Sequence, residues 1–125
     1  MANFEMPVTD YMTSPVETIR IGESLVAADA MFTKQGVSAL GVVDDTGELK
    51  GVVSRTDLLH AAVSDQGVTF RVPDRPVEEI MQSPALQVAT DAPVAAAAKL
   101  MLKKHVHRIF VTSAGKPNGV ISTRD

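Results

Sequence analysis

The chain of 125 residues contains no cysteine and no tryptophan, with one tyrosine and four phenylalanines. Without cysteine there can be no disulfide, no thiolate zinc ligand and no thiol nucleophile. With aromatics at only 4 %, the core has to be aliphatic, drawn from Val, Ile, Leu, Ala and Met. Apolar residues reach 45 %, enough for one compact domain or two small lobes. No stretch approaches the roughly 18 apolar residues of a membrane helix. Charge of one sign is also scarce: the net charge is −3. Lys103-Lys104 with Arg108 is too short a basic stripe to act as a nucleic-acid footprint. Met1 to Asp10 has neither a basic start nor an apolar run, so no secretory leader is expected. A cytoplasmic protein with no direct nucleic-acid contact and no membrane contact follows.

What is present is a repeat. Val8-Thr9-Asp10-Tyr11-Met12-Thr13-Ser14-Pro15 recurs as Val77-Glu78-Glu79-Ile80-Met81-Gln82-Ser83-Pro84, offset by 69 residues. The same offset matches Ala27-Ala28 to Ala96-Ala97, Lys34 to Lys103 and Val37 to Val106. After a deletion near Lys116-Pro117, the run Gly51 to Asp57 meets Gly119 to Asp125. Two copies are too few for a solenoid, so two units related by a pseudo-twofold axis are expected.

Each copy has the same plan. A Ser-Pro turn leads to a short strand, Glu17 to Ile21 or Leu86 to Ala89. A helix follows, about Ser24 to Gln35 or Pro93 to Lys104, with Ser24 placed to cap and Pro93 suited to a first turn. Leu25, Ala28, Met31 and Phe32 keep helical spacing, as do Val94, Ala97, Leu100 and Met101. Gly36 suits a helix end. Strands Ala39 to Val43 and Leu49 to Ser54 flank Asp44-Asp45-Thr46-Gly47, whose residues favour a hairpin turn. The second copy offers Arg108 to Thr112, a loop over Ser113 to Asn118, and Gly119 to Ser122. The first copy closes with a helix from Arg55 through Leu58, Leu59 and Ala62; its counterpart after Asp125 is missing. Residues 1–64 and 77–125 therefore read as two repeats, and 65–76 as a linker. Within the linker Val68, Phe70 and Val72 alternate and allow a short extended piece.

The doubled Gly-x-x-Ser-x-x-Asp is the sharpest candidate for chemistry. Gly51 and Gly119 permit close approach of another backbone. Ser54 and Ser122 stand where a strand becomes a helix, and their hydroxyls can donate to a phosphate or cap the helix. Asp57 and Asp125 can accept from two adjacent ribose hydroxyls, or complete a capping box. Ahead of each central strand lie Gly36-Val37-Ser38-Ala39-Leu40 and His105-Val106-His107-Arg108-Ile109. Val37 and Ala39 fall on one strand face and Ser38 on the other; small residues there can frame a flat base. Arg108 can hold a phosphate or form a surface ion pair of little energetic weight. His105 and His107 would share a strand face, but no third ligand stands near, so no metal site is expected. Nucleophile elbow, Walker loop and paired acids are all lacking, and no catalytic residue is expected.

The unit Met-x-x-Pro, helix, Val-Ser-Ala-Leu-x-Val-Val-Asp, Gly-x-x-Ser-x-x-Asp resembles the CBS domain, over nearly the whole chain from Val8 to Asp125. The resemblance implies an α/β fold of two pseudo-symmetric β-α-β-β-α repeats, the final helix of the second missing. It implies a regulatory pair, often a homodimer, that binds an adenine nucleotide (AMP, ADP or ATP) or S-adenosylmethionine in clefts between the repeats and requires no other cofactor. Carried over, one cleft would use Thr13, Glu17 and Thr18 at its mouth, Val37, Ser38 and Ala39 around the base, Arg108 on phosphate, Ser122 on phosphate or sugar, and Asp125 on ribose. Its mirror would use Gln82, Leu86 and Gln87, with Val106 and His107 around the base and Ser54 and Asp57 on phosphate and ribose. Phe110 and Thr112, where the first copy has Gly41 and Val43, imply unequal clefts. Gly51 to Val63 also resembles the CBS half of certain bacterial transcriptional repressors. The competing reading is a structural dimerisation module without ligand.

Overall fold

The computed structural model describes residues 5–66 and 71–123, of which 64–66 by their backbone alone. Val68 and Phe70 of the linker, and Asp125, lie outside the described residues. The chain divides into two units, and the division cuts across the repeats. One unit is Glu17–Pro84; the other joins Met1–Val16 to Ala85–Asp125. The Met-x-x-Pro segment that leads each repeat in sequence thus belongs to the other repeat's unit.

The unit Glu17–Pro84 holds β1 (Thr18–Arg20), α1 (Leu25–Gln35), β2 (Ala39–Val43), β3 (Leu49–Ser54) and α2 (Arg55–Gln66). Its sheet order is β1-β2-β3. β1 runs parallel to β2 and β2 antiparallel to β3, because α1 is the crossover a parallel pair requires while a tight turn joins the antiparallel pair. Ser24 caps α1, its hydroxyl accepting from the Ala27 N–H at 3.0 Å. Gly36 ends the helix in the left-handed region at φ 68°, where only a residue without Cβ sits unstrained. The helix buries Leu25, Ala28 and Phe32 against Ile19, Leu40, Val42 and Val53 of the sheet. Leu58 and Ala61 of α2 join this core, and so does Val77, from a 3-10 turn after the linker. Ser24→Ala is expected to cost about 1 kcal/mol, the usual value of an N-cap; chemical denaturation should show a lower midpoint at unchanged m-value.

The second unit repeats this architecture with β4 (Gln87–Ala89), α3 (Val94–Lys104), β5 (Arg108–Ser113) and β6 (Lys116–Ser122), in sheet order β4-β5-β6. Val8, from the lead segment, is fully buried with Ala97, Ile109 and Val111. Three expectations are corrected here. Pro93 is the N-cap of α3, in extended conformation, rather than its first helical residue. His105 is the left-handed cap of that helix at φ 56°, so it does not share a strand face with His107. β6 begins at Lys116 rather than Gly119, because Ala114 (φ 53°) and Gly115 (φ 80°) make a two-residue turn of the kind that continues the strand twist.

The longer turn of the first unit is organised by Asp44. Its Oδ1 accepts from the Thr46 hydroxyl at 2.7 Å, the Thr46 N–H at 2.9 Å and the Glu48 N–H at 3.0 Å. The Thr46 hydroxyl, with lesser help from the Glu48 and Thr46 amides and Lys50, lowers the Asp44 pKa from 3.8 to about 2. A carboxylate depressed in the folded state stabilises above its unfolded pKa, and that contribution fades as pH falls from about 4 through about 2. Asp44→Asn should therefore melt slightly lower than the parent at neutral pH, and the two should converge only as pH falls to about 2 in a thermal melt.

Candidate ligand-binding site

The Met-x-x-Pro segments explain the repeated glycines. Gln82 bridges to Val52 on the free edge of β3, its N–H donating to the Val52 carbonyl at 2.8 Å and its carbonyl accepting from the Val52 N–H at 3.0 Å. Thr13 makes the same pair with Val120 of β6, at 2.9 and 3.0 Å. At Gly51 an added Cβ would stand 2.6 Å from the Met81 sulfur and 2.8 Å from the Gln82 carbonyl oxygen; at Gly119 the counterparts are Met12 at 2.6 Å and Thr13 at 2.9 Å. The close approach that these glycines permit is thus to the lead segment. Both Ser-Pro bonds that follow, Ser14-Pro15 and Ser83-Pro84, are cis.

This docking brings candidate residues to one end of each sheet. In the first unit Ala39 lies opposite Ser54 across β2 and β3. Thr18 lies beside Gly41, and the Glu17 carbonyl accepts from the Gly41 N–H at 3.1 Å. The Ser38 carbonyl accepts from the Arg55 N–H at 3.1 Å, which ties the start of β2 to the start of α2. Val37 packs against the core. Ser54 and Asp57 form a reciprocal box at the start of α2. The Ser54 N–H donates to Asp57 Oδ2 at 2.8 Å, and the Asp57 N–H donates to Ser54 Oγ at 3.2 Å. The capping reading of Ser-x-x-Asp therefore holds for this copy, and it fixes the carboxylate's position. Gln82 Nε2 donates to the other oxygen, Asp57 Oδ1, at 3.2 Å.

The second unit has the same frame. Arg108 lies opposite Ser122 and Gln87 beside Phe110, whose N–H donates to the Leu86 carbonyl at 3.1 Å. The His107 carbonyl accepts from the Thr123 N–H at 2.9 Å, as Ser38 does from Arg55. His107 Nδ1 also meets Thr123 Oγ1 at 3.3 Å. Val106 packs on the core. Within a unit, then, Val37, Ser38 and Ala39 stand with Ser54, Asp57 and Gln82, whereas Thr13, Gln87, Val106 and His107 stand with Arg108 and Ser122. Gln82 thus stands with Ser54 and Asp57, and Thr13 beside the strand of Ser122, as the sequence leads one to expect.

Residues inside the motif were not singled out from sequence. Thr56 Oγ1 lies 2.9 Å from Ser54 Oγ. The Arg55 guanidinium donates to the Phe32 carbonyl at 2.8 Å, fastening α2 to the end of α1. Their place between Ser54 and Asp57 was the available signal. Among the described residues no three His, Asp or Glu side chains come together as a metal site, and no helix is long and apolar enough to cross a membrane.

Each sheet end offers backbone dipoles, hydroxyls and, in the first unit, a positioned carboxylate. That set suits a small polar ligand with hydroxyl donors. Comparison with known proteins agrees with the frame. The CBS domain family model matches residues 8–64 and 77–125. An uncharacterised 33.4 kDa protein in the ribosomal RNA operon of Thermofilum pendens is 32 % identical over 135 residues, covering 100 % of this chain and 44 % of that protein. The chain thus spans less than half of that relative. A CBS-domain protein of unknown function from Bacillus anthracis superposes with a TM-score of 0.84 at 25 % identity, covering 97 % of this chain and 90 % of that one. The structure of CBSX2 in complex with AMP superposes with a TM-score of 0.79 at 28 % identity, covering 94 % and 90 %. With both repeats matched, the chain belongs to the CBS domain family and carries a tandem pair.

Proposed function

We propose that the chain is a regulatory module that binds an adenine nucleotide and transmits its presence to a partner or host domain as a homodimer. The observation that carries the reading is the fixed Asp57 carboxylate beside Ser54, Ser38 and Ala39 at one sheet end. A carboxylate so held can take two ribose hydroxyls by charge-assisted bonds. Ser38 and Ala39 are small enough to admit a flat base beside it. In the second unit Arg108 and Ser122, opposite one another, supply a cation and a hydroxyl for phosphate, with Asp125 as the ribose acceptor. The AMP complex of CBSX2 supports an adenine ligand for this framework. In thermal-shift titrations against AMP, ADP, ATP, S-adenosylmethionine and NAD, an adenine nucleotide should raise the melting temperature by mass action. A flat response to all five contradicts the proposal.

A ligand-free dimerisation module is the second reading. Leu59 and Val63, one turn apart on α2, are 54 % and 46 % exposed, a pairing suited to another helix. A concentration-independent dimer with no nucleotide response would favour it.

A further inference from the structure

We infer that Gln82 is a built-in competitor for the ribose position on Asp57, and that it sets the nucleotide affinity of the first unit below what its carboxylate could deliver. The inference rests on the adenine-nucleotide reading above and adds a residue that works against binding. Each carboxylate oxygen of Asp57 has two acceptor positions. Oδ2 already accepts the Ser54 N–H, in the helix box. Oδ1 accepts the Gln82 amide. A diol that engages both oxygens therefore shares Oδ1 with a donor already seated there, and meets a carboxylate whose charge two protein N–H groups already partly satisfy.

The seating follows from the backbone. Gln82 is anchored by both of its main-chain bonds to Val52, so its side chain starts from a fixed point on the edge of β3. Its amide donates to a charged acceptor, which makes the bond stronger than one between neutral groups. The side chain is exposed and can swing into water when displaced. The contact therefore lowers affinity without blocking the site. The other unit has Thr13 at the equivalent bridge. A threonine hydroxyl sits directly on Cβ, whereas the glutamine amide lies further out. The first unit alone therefore carries a donor of this reach at that position, and the two units should differ in affinity.

The test is a calorimetric titration with AMP of the whole chain and of Gln82→Thr, Gln82→Ala and Asp57→Ala. The backbone bridge does not need the glutamine side chain, so the Gln82 variants should fold, and a thermal melt of each confirms it. Losing one competing hydrogen bond should tighten the Asp57-dependent binding event by roughly three- to tenfold in both Gln82 variants. Unchanged or weaker AMP binding in folded Gln82 variants overturns the inference; weaker binding would make Gln82 a ligand contact. If Asp57→Ala removes an AMP event that the Gln82 variants leave unaltered, the adenine reading stands and only the competitor role fails. If AMP binds neither parent nor variants, the reading and the inference fall together.

Discussion

Gly51→Val should destabilise this chain strongly, lowering stability by at least about 1–3 kcal/mol, the range for overpacking. The cause is the docked lead segment. A first side-chain carbon would stand 2.6 Å from the Met81 sulfur and 2.8 Å from the Gln82 carbonyl oxygen. The methionine can rotate away, since it is flexible. The carbonyl cannot, because it accepts the Val52 N–H at 3.0 Å and its retreat would break the bridge. Gly119→Val should behave alike against Met12 and Thr13. For a chain of this size about 1 kcal/mol corresponds to roughly 3–6 °C in Tm, so a fall of several degrees is expected. The double variant Gly51→Ala with Met81→Ala should lose less than the two single variants together, because removing the sulfur opens the room that the new methyl needs. Strict additivity in that cycle would mean that the contact is not what the glycine serves.

Asp57→Ala should carry the largest effect on binding, weakening AMP affinity by about tenfold or more. Two hydrogen bonds from a ribose to a carboxylate are charge-assisted, and each contributes about 1.5–3 kcal/mol; a loss of 1.4 kcal/mol is already tenfold. The substitution also opens the helix box and should cost about 1 kcal/mol of stability through the unpaired Ser54 N–H. Ser24→Ala separates the two effects, for it removes a cap of similar value on α1 and should leave AMP affinity unchanged. Isothermal titration of both variants at one temperature, well below either melting transition, reads the difference.

Much of the fold was legible because its signals are local. Ser24 and Gly36 bracket α1, and Leu25, Ala28 and Phe32, read at helical spacing, are the residues that it buries. The failures also have local causes. α3 ends at Lys104, where the sequence places its end, but its left-handed cap is His105 and not the glycine that closes α1, so the residue type gave no reason to keep His105 off a strand face. Pro117 lies in the stretch expected as a loop, yet it pairs with Thr112 where the ladder shifts register after Val111, a place where a missing N–H is tolerated. The candidate site was legible as residue types and as one grouping, Gln82 with Ser54 and Asp57. Ser54 and Asp57 were found by their doubling in the sequence. Their association with Gln82, expected from the resemblance, arises because the lead segment docks across the repeat boundary, which no periodicity within one repeat encodes.

The most direct test of the central claim is a titration of the nitrogen-15-labelled chain with AMP, followed by amide chemical shifts. The account predicts saturable changes concentrated at Ser38, Ala39, Ser54, Thr56 and Asp57, with the Asp44–Glu48 turn unmoved. Amides that do not move at millimolar AMP, or changes confined to that turn, would contradict it.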